Sequence, residues 1–407
     1  AVAALATDIW WTILGRVLQG AGAISAAVTA LAADLTREQH RTKVMAMIGS
    51  SIGLVFALHV FAGSPDYTAL TLPALVLYGL WPGRSDRPPL LRRAGLVGAA
   101  LALGLLLAAV QWLPTLAWSR ASHRGETPRA TRATWSLPPV ALADLVLPVP
   151  AERWPWELAL RFQLFEGREP WLHSIHFGLP ALALAWLGLR TRPLGPFLGL
   201  VAAAATGFGL GRFGPFYDIF CALLPPLAWL RFPSKAMVLA GFAIAGLAAL
   251  GLDAWCQAGR EQRLASALLA LLPAVLLLWA FCDPGAWPAG LLIEVAGVSP
   301  HELLAPLAWS AAKVVGLGLG VLLLASTGGR APAPGWTRVA LLLAAVGAPL
   351  MALRDLHPTV SGDFYRERPR LLELFPDRDA TRLYVYDYSI LTASQLAVHP
   401  EGPRAYE

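Results

Sequence analysis

Arg231-Phe232-Pro233-Ser234-Lys235, running into the unbroken apolar stretch 236–256, is the segment on which the fold turns. About twenty apolar residues in helical form cross the hydrocarbon core of a bilayer, so 236–256 is a membrane-spanning helix. Ser234 is placed to cap its start, where unpaired N–H groups carry partial positive charge. With Arg231 and Lys235 on either side, this is the chemistry of a phosphate or diphosphate site. The plainer alternative is that both cations anchor the helix at the membrane–water interface. The preceding stretch, 216–230, is apolar but holds Pro225-Pro226, and it is too short to cross alone. It reads as re-entrant or interfacial, a form tolerated where protein or a cavity surrounds the freed backbone groups.

Composition sets the class. Of 407 residues, 56% are hydrophobic and 14% charged, and the mean hydropathy is +0.55. That is too apolar for a soluble chain of this length and predicts an all-α polytopic membrane protein. The net charge of +6 is no nucleic-acid signal, because the cations sit in short loops between apolar runs and report topology. Cys221, Cys256 and Cys282 lack CxxC spacing and read as packed free thiols, with no metal site or disulfide framework. No signal peptide is visible before the first apolar run.

The apolar runs fall at about 9–33, 44–62, 67–81, 94–118, 174–189, 194–210, 236–256, 264–281, 303–325 and 336–353. Arg and Lys occupy every second short loop: Arg37/Arg41/Lys43, Arg84–Arg93, Arg190/Arg192, Arg260/Arg263, and Arg330 with Arg338. The short connections 63–66 and 283–302 have none. About ten spans satisfy the positive-inside rule, and both termini then lie outside the cytoplasm. The Pro- and Trp-rich connection 119–173 becomes a long external loop. After 353 the chain turns polar, and Arg382-Leu383-Tyr384-Val385-Tyr386-Asp387-Tyr388 alternates like a strand, the start of an external α/β piece.

Two resemblances divide the chain. Gly15-Arg16-Val17-Leu18-Gln19-Gly20-Ala21-Gly22-Ala23 and Ala33-Asp34-Leu35-Thr36-Arg37, with Arg41, Gly49 and Gly53, resemble helices 4–5 of a major facilitator superfamily transporter. This resemblance covers 1–58 and implies a proton-coupling role for Arg16, with Gln19 on the same helical face. From there the chain resembles the YfhO-like bacterial membrane proteins, related to GT-C glycosyltransferases. Phe61-Ala62-Gly63-Ser64-Pro65-Asp66-Tyr67-Thr68, Gln111-Trp112-Leu113-Pro114-Thr115 and Trp171-Leu172-His173-Ser174-Ile175-His176-Phe177-Gly178-Leu179-Pro180 carry it. So do Gly209-Leu210-Gly211-Arg212-Phe213-Gly214-Pro215, the Arg231–Lys235 stretch and Gly251-Leu252-Asp253. The implied domains are a transporter-like helix pair (1–58), a transmembrane core (59–353) and the start of a soluble domain (354–407). The two patterns meet near Phe56–His59, as in a fusion, and the external loop in which GT-C enzymes carry their catalytic acid is replaced by transporter-like sequence.

The second resemblance implies transfer of sugar from a polyprenyl-phosphate donor, a membrane lipid, to a cell-envelope glycopolymer or lipid acceptor. Arg212, Arg231, Ser234 and Lys235 are the expected phosphate-binding set, since the two cationic ends bracket the broken segment 216–230. Asp66, in a tight turn between helices, is the expected general base, with Asp144, Glu166 and Glu169 as further external acids. The alternative is a proton-coupled transporter built on Arg16, and a third reading is a non-functional chimera. Lys313, midway along the run 303–325, snorkels or pairs with an acid across the bundle. His173 and His176 share a face if helical, but no third ligand stands at useful spacing. Walker A, GxGxxG, GxSxG and paired CxxC patterns are absent, and neither cofactor nor nucleic acid is expected.

Overall fold

The computed structural model describes residues 57–60, 65–82, 89–121, 127–150, 154, 158–166, 171–191, 193–282, 300–327 and 334–352. Among them every regular element is helical. The expected spans 9–33 and 44–62 lie outside the described residues except for helical 57–60, and so does the strand expected at 382–388.

The chain divides into two compact units, one of 1–132 with 221–231, the other of 133–220 with 232–407. In the first, α1 (Pro65–Leu80) packs on α2 (Leu90–Leu107), with Gly79 against Val97. The expected span 94–118 is interrupted: α2 ends at Ala108, and α3 (Ala109–Ala121) follows it. Arg93, read from sequence as a loop cation, donates to the carbonyls of Leu80 at 3.2 Å and Trp81 at 2.6 Å. It thereby satisfies groups that the end of α1 leaves open.

The second unit contains α4 (Leu158–Phe165), α5 (Leu179–Gly188), α6 (Leu194–Gly209), α8 (Met237–Trp255), α9 (Arg260–Cys282), α10 (Pro300–Ser326) and α11 (Gly335–Ala352). Between them α7 (Phe216–Leu223) runs across the division and is followed by a 3₁₀ segment, Pro225–Trp229. The stretch 216–230 is thus broken, as its prolines require.

Among the described residues five helices are long and apolar enough to cross a membrane: Leu90–Leu107, Pro233–Trp255, Arg260–Cys282, Leu304–Ser326 and Gly335–Ala352. The run 174–189 forms only the ten-residue α5, about 15 Å long, half the hydrocarbon thickness. It is apolar because it is enclosed, packing on α8, α9, α10 and α11.

The helix α9 sets small residues beside Leu271 and Phe281 on its inner face and large ones on its outer face. On α9, Ser266, Ala267, Ala270 and Ala274 are buried, whereas Leu268, Leu269, Leu272, Val275, Leu276 and Trp279 are exposed. Lipid solvates leucine as well as a protein core does, so close backbone approach drives such packing. Gly188 of α5 and Gly251 of α8 make that approach: a Cβ on either would collide with a carbonyl of the facing helix. Arg263 also departs from its expected place in a loop. It is fully buried and donates to the carbonyls of Ala258, Ala325 and Thr327, tying the chain after α8 to the end of α10.

Candidate functional site

The head of α8 organises the polar part of the second unit. Ser234 does not cap the helix. Pro233 takes the first position of a 3₁₀ turn (Pro233–Ala236), as its fixed φ favours, and Phe232 becomes the capping residue at φ 67°. Ser234 is carried inside the turn, 4% exposed, where its Oγ finds no hydrogen-bond partner.

The segment Trp135–Leu137 is laced to this turn. The amide of Ser234 donates to the Trp135 carbonyl at 3.4 Å, and that of Leu137 to the Gly209 carbonyl at 2.9 Å. Ser136 Oγ accepts from the Arg212 amide at 3.0 Å and donates to the Ala133 carbonyl at 2.6 Å. Gly211, at φ 51°, lies against Ser136, and any Cβ there would overlap it.

Above the turn three rings meet. Trp135 and Phe232 have centroids 4.4 Å apart, and Trp171 lies 5.7 Å from each. The Lys235 ammonium sits 4.8 Å from the Trp171 ring and 4.9 Å from the Phe232 ring. Lys235 is 8% exposed, so its cation is held against aromatic faces with little water, a favourable arrangement.

Glu166 ends α4 in the left-handed region, at φ 61°. Its carboxylate pairs with Arg212 at 3.2 Å and accepts the Trp135 amide at 3.4 Å. Trp135 is itself left-handed, at φ 54°. A pocket opens beside these groups, lined by Trp135, Ser136, Asp144, Glu166, Trp171, His173 and Ser234 with apolar neighbours. Its free volume is about 30 Å³, room for about two waters.

The expected phosphate-binding set is divided between the two units. Ser234, Lys235 and Arg212 belong to one unit, but the Arg212 guanidinium is engaged by Glu166. Arg231 is exposed and belongs to the other unit, as does Asp66, in the first turn of α1. Arg16, Gln19 and Glu169 lie outside the described residues. His173 and His176 are in a non-helical segment, so they share no helical face. His176 Nδ1 is 3.0 Å from the Asp144 carbonyl, and burial pushes its pKa down, with backbone hydrogen bonds opposing. Lys313 is exposed on α10, its ammonium 5.4 Å from the Trp309 ring. Among the described residues no group of three His, Cys, Asp or Glu is placed to hold a metal.

Sequence reasoning missed the aromatic enclosure of Lys235 and the role of Glu166. The Trp-rich character of 119–173 was the available signal, but Trp171 and Lys235, like Glu166 and Arg212, lie tens of residues apart in the chain.

Among known proteins, a short part of the chain is similar to transporters. The inner membrane transport protein YajR of Escherichia coli (strain K12) is 61% identical over 74 residues, 18% of this chain and 16% of that protein. The uncharacterized transporter BU466 of Buchnera aphidicola subsp. Acyrthosiphon pisum is 45% identical over 56 residues, 14% of each chain. An uncharacterized transporter of Buchnera aphidicola subsp. Baizongia pistaciae is 45% identical over 53 residues, 13% of this chain and 14% of that one. The chain thus spans less than a fifth of the length of these curated relatives. No family model and no solved structure matches. These similarities fit the major facilitator resemblance of the first stretch, and they lend no support to the YfhO-like or GT-C resemblance.

Proposed function

We propose that this chain acts in a bacterial inner membrane as a proton-coupled transporter of the major facilitator type, with Arg16 in the coupling step. The 61% identity to YajR over 74 residues carries this reading, supported by the five helices among the described residues that are able to cross a membrane. An ionisable residue within an apolar span is costly to keep there and is retained for a task. The test is ethidium export by the full chain in proteoliposomes, driven by an imposed proton gradient. Gradient-dependent export that falls at least tenfold in Arg16→Ala is the expected result. Export indifferent to the gradient, or equal in the variant, overturns the reading.

A second reading is transfer of a polyprenyl-phosphate-linked sugar to an extracytoplasmic glycopolymer or lipid. What supports it is one feature, the buried Lys235 cation at the head of α8, where a helix start adds partial positive charge. The engagement of Arg212 by Glu166 leaves that cation with less help than the sequence suggests. Undecaprenyl phosphate in nanodiscs provides the test: Arg231→Ala with Lys235→Ala abolishes its binding if this reading holds, and unchanged binding rejects it.

A further inference from the structure

One of the apolar helices carries an exposed cation, and helix packing sets the depth at which it sits. Helices α9 and α10 run antiparallel: Leu271 lies against Gly318, and Arg263 reaches the carbonyls of Ala325 and Thr327. Counted from the Leu271–Gly318 contact, Trp279 is eight residues along α9 and Trp309 nine residues back along α10. At about 1.5 Å per residue these are about 12 and about 13.5 Å in the same direction, so the two stand at one level. Both are exposed. From Trp279 back to Arg263 is sixteen residues, about 24 Å, somewhat under a hydrocarbon thickness of about 30 Å. Trp336, also exposed, marks the Arg263 end, since Thr337 beside it bonds to Trp255 and Trp255 faces Arg263. Exposed tryptophans at two such levels form the aromatic girdles of a bilayer-spanning bundle, one at each headgroup boundary.

Lys313 follows Trp309 by four residues on the outward side of α10, so its backbone lies about 6 Å inside that boundary. Helical side chains tilt toward the N-terminus, and the ammonium accordingly returns to 5.4 Å from the Trp309 ring. The cation is thus exposed at girdle depth, and among the described residues no carboxylate pairs with it. An ammonium offers three donors, and a cation within a span is costly unless an anion or water meets it. At this depth the bilayer itself supplies the anion, in the phosphates of its lipids. Farther along the same side Leu319 and Leu323 are exposed, an apolar surface that suits an acyl chain. A neighbouring helix would have to bring a carboxylate to the boundary. A second copy packed by this face would set one Lys313 against another, which is repulsive.

We propose that the outward face of α10 binds an anionic phospholipid, in the leaflet at the level of Trp279. The Lys313 ammonium donates to the lipid phosphate, and the Trp309 ring holds that ammonium at the boundary. The acyl chain lies along Leu319 and Leu323. One cation near a lipid surface gives about a fivefold preference for an anionic over a zwitterionic headgroup. The site needs the membrane-spanning arrangement but no transport step, so lipid binding and ethidium export succeed or fail separately.

The experiment is native mass spectrometry of the full chain released from detergent micelles, which reads the affinity of each bound lipid separately. The probes are dioleoyl phosphatidylglycerol and dioleoyl phosphatidylcholine. The wild type is expected to bind the first phosphatidylglycerol about fivefold more tightly than the first phosphatidylcholine. Lys313→Gln brings the two affinities together and leaves the melting temperature unchanged, because the side chain is exposed. Lys313→Arg keeps the preference, since the charge remains, and Trp309→Leu reduces it. Excess inorganic phosphate leaves the phosphatidylglycerol bound, because a free ion lacks the acyl chains. Equal affinities in the wild type overturn the proposal, and so does a preference that Lys313→Gln leaves intact. Displacement by phosphate overturns it in favour of a free-anion site. A dimer, or a complex with a carboxylate-bearing helix, that Lys313→Gln dissolves overturns it too, because protein then covers this face.

Discussion

His176 shows how a single side chain is committed by its surroundings. The Phe177 and Gly178 amides both donate to the Leu145 carbonyl, and Gly178 turns at φ 76° to start α5. This leaves the His176 ring 9% exposed, with Nδ1–H donating to Asp144 in the neutral form. Burial holds its folded-state pKa below the ordinary value of 6.5. The unfolded chain then takes up the proton first. Stability is full above pH 6.5 and is lost as pH falls from there toward the folded-state value. The melting temperature in detergent is expected to drop as pH falls below 6.5, the ordinary value. His176→Gln flattens that drop, and an unchanged slope in the variant would show that other groups govern it. At the same scale, Arg263 and Ser234 were misjudged from sequence for one reason. A loop cation and a capping serine are local assignments, and both side chains take their final positions from residues far along the chain.

Among the elements, the pair α5 and α8 carries the tightest constraint. Gly188 faces the Leu247 carbonyl and Gly251 faces the Leu184 carbonyl, each with no room for a Cβ. The lost contacts on separating two such helices are dispersion contacts along their whole length. Gly251→Val forces a backbone shift of the kind that costs about 1–3 kcal/mol, read as a clear fall in melting temperature. Gly320→Ala is the control, because nothing lies within 4 Å of that position. There the gain in helix propensity of up to about 1 kcal/mol leaves stability equal or improved. If both substitutions behave alike, the close approach is not what holds α5 to α8. The break of 216–230 into α7 and a 3₁₀ segment was legible in its prolines. The enclosure of α5 was not, since an apolar run of that length reads alike as a span or a core helix.

For the whole molecule, composition and the long apolar runs determined by themselves that this is a helical membrane protein, because only helices and closed barrels satisfy the backbone in lipid and unbroken apolar runs of about twenty residues have the length of a helix rather than of a barrel strand. The transporter-like character of the first stretch was also written in the sequence, in a contiguous motif that needs no folding to recognise, and the similarity to YajR agrees with it. The proton-gradient dependence expected of Arg16 belongs to this scale, since coupling requires the assembled bundle. Only the tertiary structure decided which helices are core and which are long enough to cross. It also paired Arg212 with Glu166, buried Arg263 among carbonyls and set Lys235 beneath Trp171 and Phe232. Periodicity and hydropathy describe each segment against its solvent. Side-chain partners drawn from segments tens to a hundred residues apart depend on how those segments pack, and that is decided when the chain folds.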